Sequence, residues 1–408
     1  MTDFLRGDSP PEPPRRPLRA VLLRDAVADA DQLAGPLAKA LDGTGPAILP
    51  LDATLPAPRL RQLTDAIAPG AGVAEDTAVV IATSGSTGEP KGVELSAAAL
   101  CHSARASLAR LGAWGAAPAA DGRDAGGWLC CLPVTHVAGL QVLVRSLLSS
   151  SERMVAPTLT ATALSESGCS YVSVVPTQLV RLLDEPGGAA ALAEFAAVLV
   201  GGAAAPAGLL GRARAAGVRA VTTYGMSETC GGCVYDGVPL DGVTVRAGGD
   251  GLLRISGPVL MNRYRGGPDL GDEFVTSDFG YVRDGRVVVR GRADDVINTG
   301  GHKVVPGEVA AVLESCPGVL EVVVVGRADP EWGQRVTAVV VPADPDDPPS
   351  LELLRIHVSK RLPRYACPSE VVLTRAIPVL ASGKPDLASL KTAGTLRGRE
   401  QSPPLSVN

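Results

Sequence analysis

The chain has 408 residues, of which 46% are hydrophobic and 20% charged, and its formal net charge is −5. These values are typical of a globular protein with two or three domains, and they give no electrostatic support for binding to nucleic acid or to an anionic membrane. The sequence contains no apolar run long enough to span a bilayer. Residues 1–8 lack the apolar core of a signal peptide, so we expect a cytoplasmic protein.

The predicted elements begin after a Pro-rich N-terminal segment, and we expect residues 1–20 to be loose. Helical patterns cover 26–41 and 59–67, an apolar run at 78–82 predicts a buried strand, and Ser96 is the expected N-cap of a helix over 96–111. From residue 128 onward, strand and helix patterns alternate, which predicts βαβ units and parallel sheet. The predicted strands are 128–132, 171–175, 196–200 and 218–222, and the predicted helices are 140–148, 176–183 and 206–216.

Beyond residue 291 the pattern changes to a compact α+β unit of roughly 110 residues, a plausible size for a separate domain. We therefore predict an α/β fold with a large N-terminal domain over 1–292, in which mixed and parallel sheets are layered with helices. A small mobile α+β C-terminal domain follows over 293–393. Residues 394–408 are predicted to be a disordered tail.

The most specific motif follows the strand predicted at 78–82. It reads Thr83, Ser84, Gly85, Ser86, Thr87, Gly88, Glu89, Pro90, Lys91 and Gly92. Glycines let backbone N–H groups approach phosphate oxygens, hydroxyls add donors, and the lysine adds a positive charge. The motif is not a Walker loop, because two residues separate Gly88 from Lys91.

This loop resembles the phosphate loop of the adenylate-forming superfamily, which includes acyl-CoA synthetases, luciferases and the adenylation domains of peptide synthetases. The resemblance implies that ATP, Mg²⁺ and coenzyme A are bound. Further segments match superfamily motifs, and each implies a role. The turn formed by Gly201, Gly202 and Ala203 would lie against adenine. A second segment reads Tyr224, Gly225, Met226, Ser227 and Glu228. Within it, Tyr224 would stack on adenine and Ser227 would reach the α-phosphate.

The same resemblance implies a metal site and a hinge. Glu228 would hold Mg²⁺ together with Thr87, since this hard cation takes oxygen ligands. Asp278 and Arg292 would bind the ribose, and Asp294 would be the hinge residue. Gly300 and Gly301 would line the tunnel of the CoA thiol, and Lys384 would be the catalytic lysine. Relatives more often have Ile or Val where Pro385 stands here.

Together these segments imply a two-step reaction in one site. A substrate carboxylate attacks the α-phosphorus of ATP in line, and pyrophosphate leaves. Lys384 would bridge the carboxylate and the α-phosphate oxygens. The small domain then turns at Asp294 and withdraws Lys384, and the CoA thiol attacks the acyl-adenylate.

Two sequence features bear on which carboxylic acid is the substrate. His136, in the run 132–140, resembles the histidine that gates or lines the acyl pocket of acyl- and aryl-CoA ligases, where amino-acid-activating domains usually carry Phe-Asp. The run 223–242 and the early position of the phosphate loop resemble the short o-succinylbenzoate–CoA ligases of actinobacterial menaquinone biosynthesis. The implied substrate is an aromatic dianion, for which Arg145 and Arg181 are the candidate second cations.

Other functions stay open at this point. They are a medium-chain or aryl acid–CoA ligase, a non-catalytic nucleotide-binding relative, and an adenylation domain that loads a carrier protein. Cys230 and Cys233 form a CxxC, but no second CxxC is present and the chain has four histidines, which favours buried thiols over a zinc site. The oligomeric state is left undetermined, and a homodimer is compatible with the sequence.

Overall fold

A computed structural model of the chain describes residues 15–84, 90–112, 126–380 and 385–392. The strands are β1 Arg15–Arg16, β2 Leu18–Leu23, β3 Ala47–Asp52, β4 Val73–Ala74, β5 Thr77–Ser84, β6 Pro90–Ser96, β7 Trp128–Cys130, β8 Arg153–Val155, β9 Tyr171–Val174, β10 Ala197–Val200, β11 Ala220–Met226, β12 Gly231–Tyr235, β13 Val238–Pro239, β14 Thr244–Ala247, β15 Leu252–Ser256, β16 Arg263–Tyr264, β17 Glu273–Arg283, β18 Arg286–Arg292, β19 Ile297–Thr299, β20 His302–Val304, β21 Val319–Asp329, β22 Gly333–Pro342 and β23 Glu370–Leu373. The helices are α1 Ala30–Leu41, α2 Ala57–Ile67, α3 Ala97–Leu111, α4 Val137–Ser149, α5 Ala161–Glu166, α6 Pro176–Asp184, α7 Gly188–Ala193, α8 Ala207–Ala215, α9 Pro306–Leu313, α10 Leu351–Ser359 and α11 Leu387–Thr392.

A seven-stranded sheet forms the centre of the large N-terminal domain, with the order β13-β12-β11-β10-β9-β7-β8. Strands β11, β10, β9, β7 and β8 are parallel, and β12 turns back antiparallel to β11. All four residues of β9 and of β10 are buried, as expected for parallel strands covered on both faces. The predicted βαβ arrangement is therefore confirmed, and the carboxyl ends of β10 and β11 lie side by side.

A five-stranded sheet with the order β16-β6-β5-β3-β2 carries the phosphate motif between β5 and β6. The sequence patterns do not predict β2 and β3. Because β2 begins at Leu18, the expectation that residues 1–20 are loose is wrong for its last three residues. Leu18 and Leu23 of β2 are buried, and β2 runs parallel to β3 with Leu18 opposite Ala47. Burial of these apolar side chains therefore fixes the early chain as an edge strand of this sheet.

The helices α1, α3 and α4 join the two large sheets into one core. A single cluster of buried residues contains Leu37 of α1, Leu100 of α3 and Val142 of α4, together with Val79 of β5 and Leu199 of β10. Helix α3 begins where the sequence predicts, because the Ser96 hydroxyl accepts a hydrogen bond from the Ala99 N–H at 3.1 Å.

The C-terminal part forms a smaller α+β domain with its own core. Strands β20, β19, β22 and β21 form a sheet in that order, and β23 adds to β22 in parallel. Leu313 of α9 and Leu354 of α10 pack on Val324 and Val340 of this sheet. The four-stranded sheet β14-β15-β17-β18 leads into this domain, and the boundary at residue 292 stays a prediction. Within the described ranges, no helix has both the length and the apolar character needed to span a bilayer.

We predict that Ser96→Ala lowers the free energy of unfolding by about 1 kcal/mol, because the Ala99 N–H loses its acceptor at a buried helix start. Chemical denaturation measures this loss. Ser350→Ala removes the equivalent cap of α10, whose hydroxyl accepts from the Leu353 N–H, and serves as the matched comparison in the small domain. An unchanged denaturation midpoint for Ser96→Ala contradicts the assignment.

Candidate active site

The phosphate motif is carried by the antiparallel hairpin of β5 and β6. Thr83 and Lys91 are directly opposite each other, and the Thr83 hydroxyl donates to the Lys91 carbonyl at 3.3 Å. Lys91 is exposed at the start of β6. Four of the predicted phosphate contacts lie outside the described residues, namely Gly85, Ser86, Thr87 and Gly88. The predicted catalytic residue Lys384 also lies outside them. For Ser84, only the backbone is described.

The predicted adenine segment follows β10, next to the end of β11. A Cβ atom at Gly201 would collide with the Thr223 hydroxyl, and Gly202 has a φ of +81°, so both positions require glycine. A Cβ atom at Gly225 would likewise collide with the Gly231 carbonyl. Ala203 and Tyr224 are half-buried beside this turn. The glycines therefore let the turn after β10 and the end of β11 pack closely against their neighbours.

Tyr224 also reaches the predicted ribose residue. Its hydroxyl donates a hydrogen bond of 2.8 Å to Oδ2 of Asp278, a carboxylate that is only 7% exposed. Burial, reinforced by this carboxylate, raises the pKa of Tyr224 far above its usual value, so the phenol stays protonated as a donor. The structure therefore brings together two residues that are 54 positions apart in sequence.

Arg292 lies between the ribose residue and the predicted hinge. Its Nη1 is 3.8 Å from Oδ1 of Asp278, and its Nη2 donates to Oδ2 of Asp294 at 2.8 Å. Asp294 lies in a 3₁₀ turn over Ala293–Asp295, directly after β18. Next to it, Arg290 of β18 pairs with Glu308 of α9.

Glu228 lies in a 3₁₀ turn over Ser227–Thr229 that ends β11. The Met226 N–H donates to the Thr229 hydroxyl at 3.0 Å, which closes this turn. The Glu228 carbonyl accepts from the Met261 N–H at 2.8 Å, and its carboxylate Oε1 accepts from the Tyr264 hydroxyl at 2.7 Å. The turn is therefore fixed through both backbone and side chain.

Tyr264 is a site residue that the sequence reasoning missed. It contacts Glu228 through its hydroxyl, and the Lys91 Nζ lies 5.2 Å from the centre of its ring. Burial and the neighbouring Glu228 carboxylate raise the pKa of Tyr264 well above its usual value. The available signal was a tyrosine between two arginines, Arg263 and Arg265, in a chain with six tyrosines.

The chemistry of this donor set fits Mg²⁺. The ion takes one or two carboxylates and completes its shell with phosphate oxygens and water, and Glu228 offers one half-buried carboxylate beside the phosphate hairpin. Among the described residues, no group of three or more His, Cys, Asp or Glu side chains could form an all-protein metal cage. A metal held by Glu228 and the nucleotide together is consistent with this arrangement.

His136 lies at the N-terminus of α4, and its Nδ1 is 3.2 Å from the Thr135 hydroxyl. Val137 and Gln141 of α4 pack against Gly231, directly after the turn that carries Glu228. A Cβ atom at Gly139 would collide with the Pro133 carbonyl, so this glycine permits the tight entry into the helix. The structure therefore places the start of α4 beside β12, which follows the turn that carries Glu228.

Arg145 and Arg181, the two candidate cations for a dianionic substrate, differ in burial and in hydrogen bonding. Arg145 of α4 is 4% exposed, and its guanidinium lies 4.8 Å from the centre of the Trp128 ring. Within the described residues, Arg145 Nε and Nη1 and the neighbouring Gln141 Oε1 have no hydrogen-bond partner. Arg181 is exposed and donates to the Leu159 carbonyl at 2.9 Å. Arg145 is thus the buried cation with hydrogen-bonding capacity to spare.

In the small domain, Gly300 and Gly301 form the turn between β19 and β20, with φ angles of +55° and +81°. The Gly300 N–H donates to the Trp332 carbonyl at 3.0 Å, and a Cβ atom at Gly300 would collide with the Trp332 ring. Next to this turn, His302 and Tyr365 stack with ring centres 4.3 Å apart. Trp332 and Tyr365 are exposed, so aromatic surface surrounds the glycine turn.

The CxxC cysteines are both fully buried. Burial raises the pKa of Cys233 to about 12, and that of Cys230 even further. Both thiols are therefore protonated at neutral pH and behave as small apolar core residues.

Comparison with known proteins agrees with this geometry. The sequence profile described as AMP-binding enzyme matches residues 20–253, and the profile of the AMP-binding enzyme C-terminal domain matches residues 308–384. A probable 2-succinylbenzoate–CoA ligase from Mycobacterium tuberculosis is 42% identical over 371 residues, which cover 87% of this chain and 93% of that protein.

Two solved structures are similar to this chain over most of its length. A variant of Escherichia coli MenE with bound OSB-AMS has a TM-score of 0.69 at 25% identity, covering 90% of this chain and 92% of that one. The o-succinylbenzoate CoA synthetase MenE from Bacillus subtilis, in complex with the acyl-adenylate intermediate OSB-AMP, has a TM-score of 0.67 at 25% identity, covering 92% and 84%. On the matched profiles and the shared fold, this chain belongs to the family of AMP-binding enzymes.

Proposed function

We propose that this chain is an AMP-forming 2-succinylbenzoate–CoA ligase, which adenylates its substrate with ATP and transfers the acyl group to the thiol of CoA. The observation that carries the proposal is the 42% identity, over 87% of the chain, to the M. tuberculosis relative of that name. The geometry supports it, because Lys91, Glu228, Tyr224 and Asp278 all lie at or beside the carboxyl ends of β5 and β11. Its place in menaquinone biosynthesis and its cytoplasmic location stay predictions, and a homodimer stays compatible with the sequence.

In the first step, a substrate carboxylate oxygen bonds to the α-phosphorus of ATP, and the bond to pyrophosphate breaks. Lys91 neutralises phosphate charge, Tyr224 packs on adenine, and Asp278 accepts hydrogen bonds from the ribose hydroxyls. Glu228 and Thr87 would hold Mg²⁺, which supplies further neutralisation of the phosphate charge when bound. Lys384 is proposed to bridge the carboxylate and the α-phosphate.

In the second step, the thiol sulfur of CoA bonds to the acyl carbon, and AMP leaves. The small domain would turn at Asp294, so that the turn at Gly300 and Gly301 replaces Lys384 in the site. The exposed rings of Trp332 and Tyr365 offer the apolar and stacking surface that a CoA arm requires.

Arg181 is proposed to bind the second carboxylate of the substrate, since 2-succinylbenzoate is an aromatic dianion and a guanidinium pairs well with a carboxylate. It lies in α6, which starts directly after the carboxyl end of β9, and it donates to the Leu159 carbonyl in the loop after β8. Its exposed guanidinium is therefore on the same edge of the sheet as Tyr224 and Glu228. Arg145 is not proposed for this role, because it lies about 13 Å along α4 from His136 and packs on Trp128, the first residue of β7, at the opposite edge of the sheet.

The experiment that tests the function is pyrophosphate release from ATP and Mg²⁺ with 2-succinylbenzoate, benzoate, octanoate and phenylalanine, each with and without CoA. We expect sustained turnover with 2-succinylbenzoate alone, and only when CoA is present. Turnover with benzoate or octanoate instead would retain the ligase and overturn the substrate. No release with any of these acids would overturn the enzymatic function.

Lys384→Ala is expected to abolish adenylate formation and to spare thioester formation from preformed acyl-adenylate, because the lysine is needed only while the α-phosphorus is attacked. Each half-reaction is measured separately. Lys360→Ala, which changes an exposed lysine after α10, is the control and should leave both rates unchanged. An equal loss in both half-reactions would argue against two domain orientations.

Arg181→Met should raise the KM for 2-succinylbenzoate about 10- to 100-fold, as expected for losing a hydrogen-bonded charge pair. The KM for ATP should not change. Thermal stability should change little, because Arg181 is exposed. Arg145→Met is the matched control, and the proposal for Arg181 fails when both variants give the same KM as the unaltered enzyme.

A further inference from the structure

We propose that Tyr264 is a positioning residue for adenylation, with two separate effects. Its hydroxyl orients Glu228 for the metal, and its ring supports Lys91 at the phosphates. This inference rests on the proposed function, since it assigns Tyr264 to the first half-reaction.

The hydroxyl effect follows from one hydrogen bond. The Tyr264 O–H donates to Oε1 of Glu228 at 2.7 Å, a length typical of a bond to a charged acceptor. Glu228 cannot rotate freely while this bond exists, so its other oxygen, Oε2, keeps a fixed direction. A carboxylate held in this way binds a cation without first losing rotational freedom, as second-layer hydrogen bonds do at other metal sites.

The ring effect follows from strand register. Tyr264 is directly opposite Val93 in the pair formed by β16 and β6, and Lys91 is two residues before Val93 on the same face of β6. Tyr264 and Lys91 are therefore diagonal neighbours, which long and aromatic side chains can bridge. The Lys91 Nζ lies 5.2 Å from the ring centre, within the range of a cation–π interaction.

Tyr264 can fill this role because its strand is firmly held. The guanidinium of Arg265 donates to the Ile67 carbonyl at 2.8 Å, to the Gly72 carbonyl at 2.9 Å and to Glu94 Oε1 at 3.0 Å. On the other side of Tyr264, the Met261 N–H binds the Glu228 carbonyl. The ring is thus anchored to the sheet that carries Lys91 and to the turn that carries Glu228.

The two effects are separable by substitution. Tyr264→Phe removes the hydroxyl and keeps the ring, whereas Tyr264→Leu removes both. Tyr281→Phe is the matched control, because Tyr281 is a half-buried tyrosine whose hydroxyl accepts from Arg283, in the four-stranded sheet. Glu228→Gln, alone and combined with Tyr264→Phe, tests whether the hydroxyl acts through Glu228.

The measurements are pyrophosphate release against Mg²⁺ and ATP concentration, calorimetric titration of ATP at graded Mg²⁺, and thermal unfolding. We expect Tyr264→Phe to raise the Mg²⁺ concentration for half-maximal effect about tenfold, in both the rate and the calorimetric titration. Its KM for ATP at saturating Mg²⁺ should change less than twofold, and Tyr264→Leu should also raise that KM. The double variant should match Glu228→Gln alone, since the effects of coupled residues are not additive.

Two results would overturn the inference: an unchanged Mg²⁺ dependence for Tyr264→Phe, whatever its melting temperature, or additive effects in the double variant. The calorimetric titration needs no turnover. Loss of the proposed function would therefore show as absent pyrophosphate release by the unaltered enzyme, while the test of Tyr264 by ATP and Mg²⁺ binding still gives its own result.

Discussion

The buried ion pair between Glu94 and Arg265 is the constraint on which the site depends. Glu94 is 2% exposed, and its Oε1 is 3.0 Å from Arg265 Nη1. Breaking such a pair leaves an uncompensated charge in the core, which is strongly destabilising. The pair fixes β16 against β6, and β16 in turn holds Tyr264 between Lys91 and Glu228. A two-residue strand could not keep this position by its backbone hydrogen bonds alone.

Two sheets with different geometry supply the rest of the site. The parallel strands β10 and β11 bring the glycine turn at 201–202 and Tyr224 to one edge, as parallel strands do with the residues at their carboxyl ends. The antiparallel hairpin of β5 and β6 delivers Lys91 from the other sheet. Helices α1, α3 and α4 lie in the shared core, so the relative position of the two sheets is fixed by close packing of apolar side chains.

Local patterns predicted much of this arrangement. The strand before the phosphate motif, the N-cap at Ser96 and the alternation of strands with helices each rest on short-range signals, and all were confirmed. Tyr264 and Arg145 show why other parts of the arrangement could not be predicted from the sequence. Nothing in the sequence indicates that Tyr264 meets Glu228, 36 residues away, and Arg145 would ordinarily be expected on a helix surface. Both placements result from tertiary contacts that carry no short-range pattern.

The position of Arg292 gives the two domains a shared electrostatic element. Its guanidinium lies near Asp278, the predicted ribose residue, and is bonded to Asp294 of the turn after β18. Backbone rotation at Asp294 would lengthen the second contact, and the arginine would then serve Asp278 and the nucleotide alone. If the small domain turns at Asp294 as proposed, nucleotide occupancy and domain orientation influence each other to the same extent, by thermodynamic reciprocity. A single side chain would then couple the release of AMP to the rotation of the small domain.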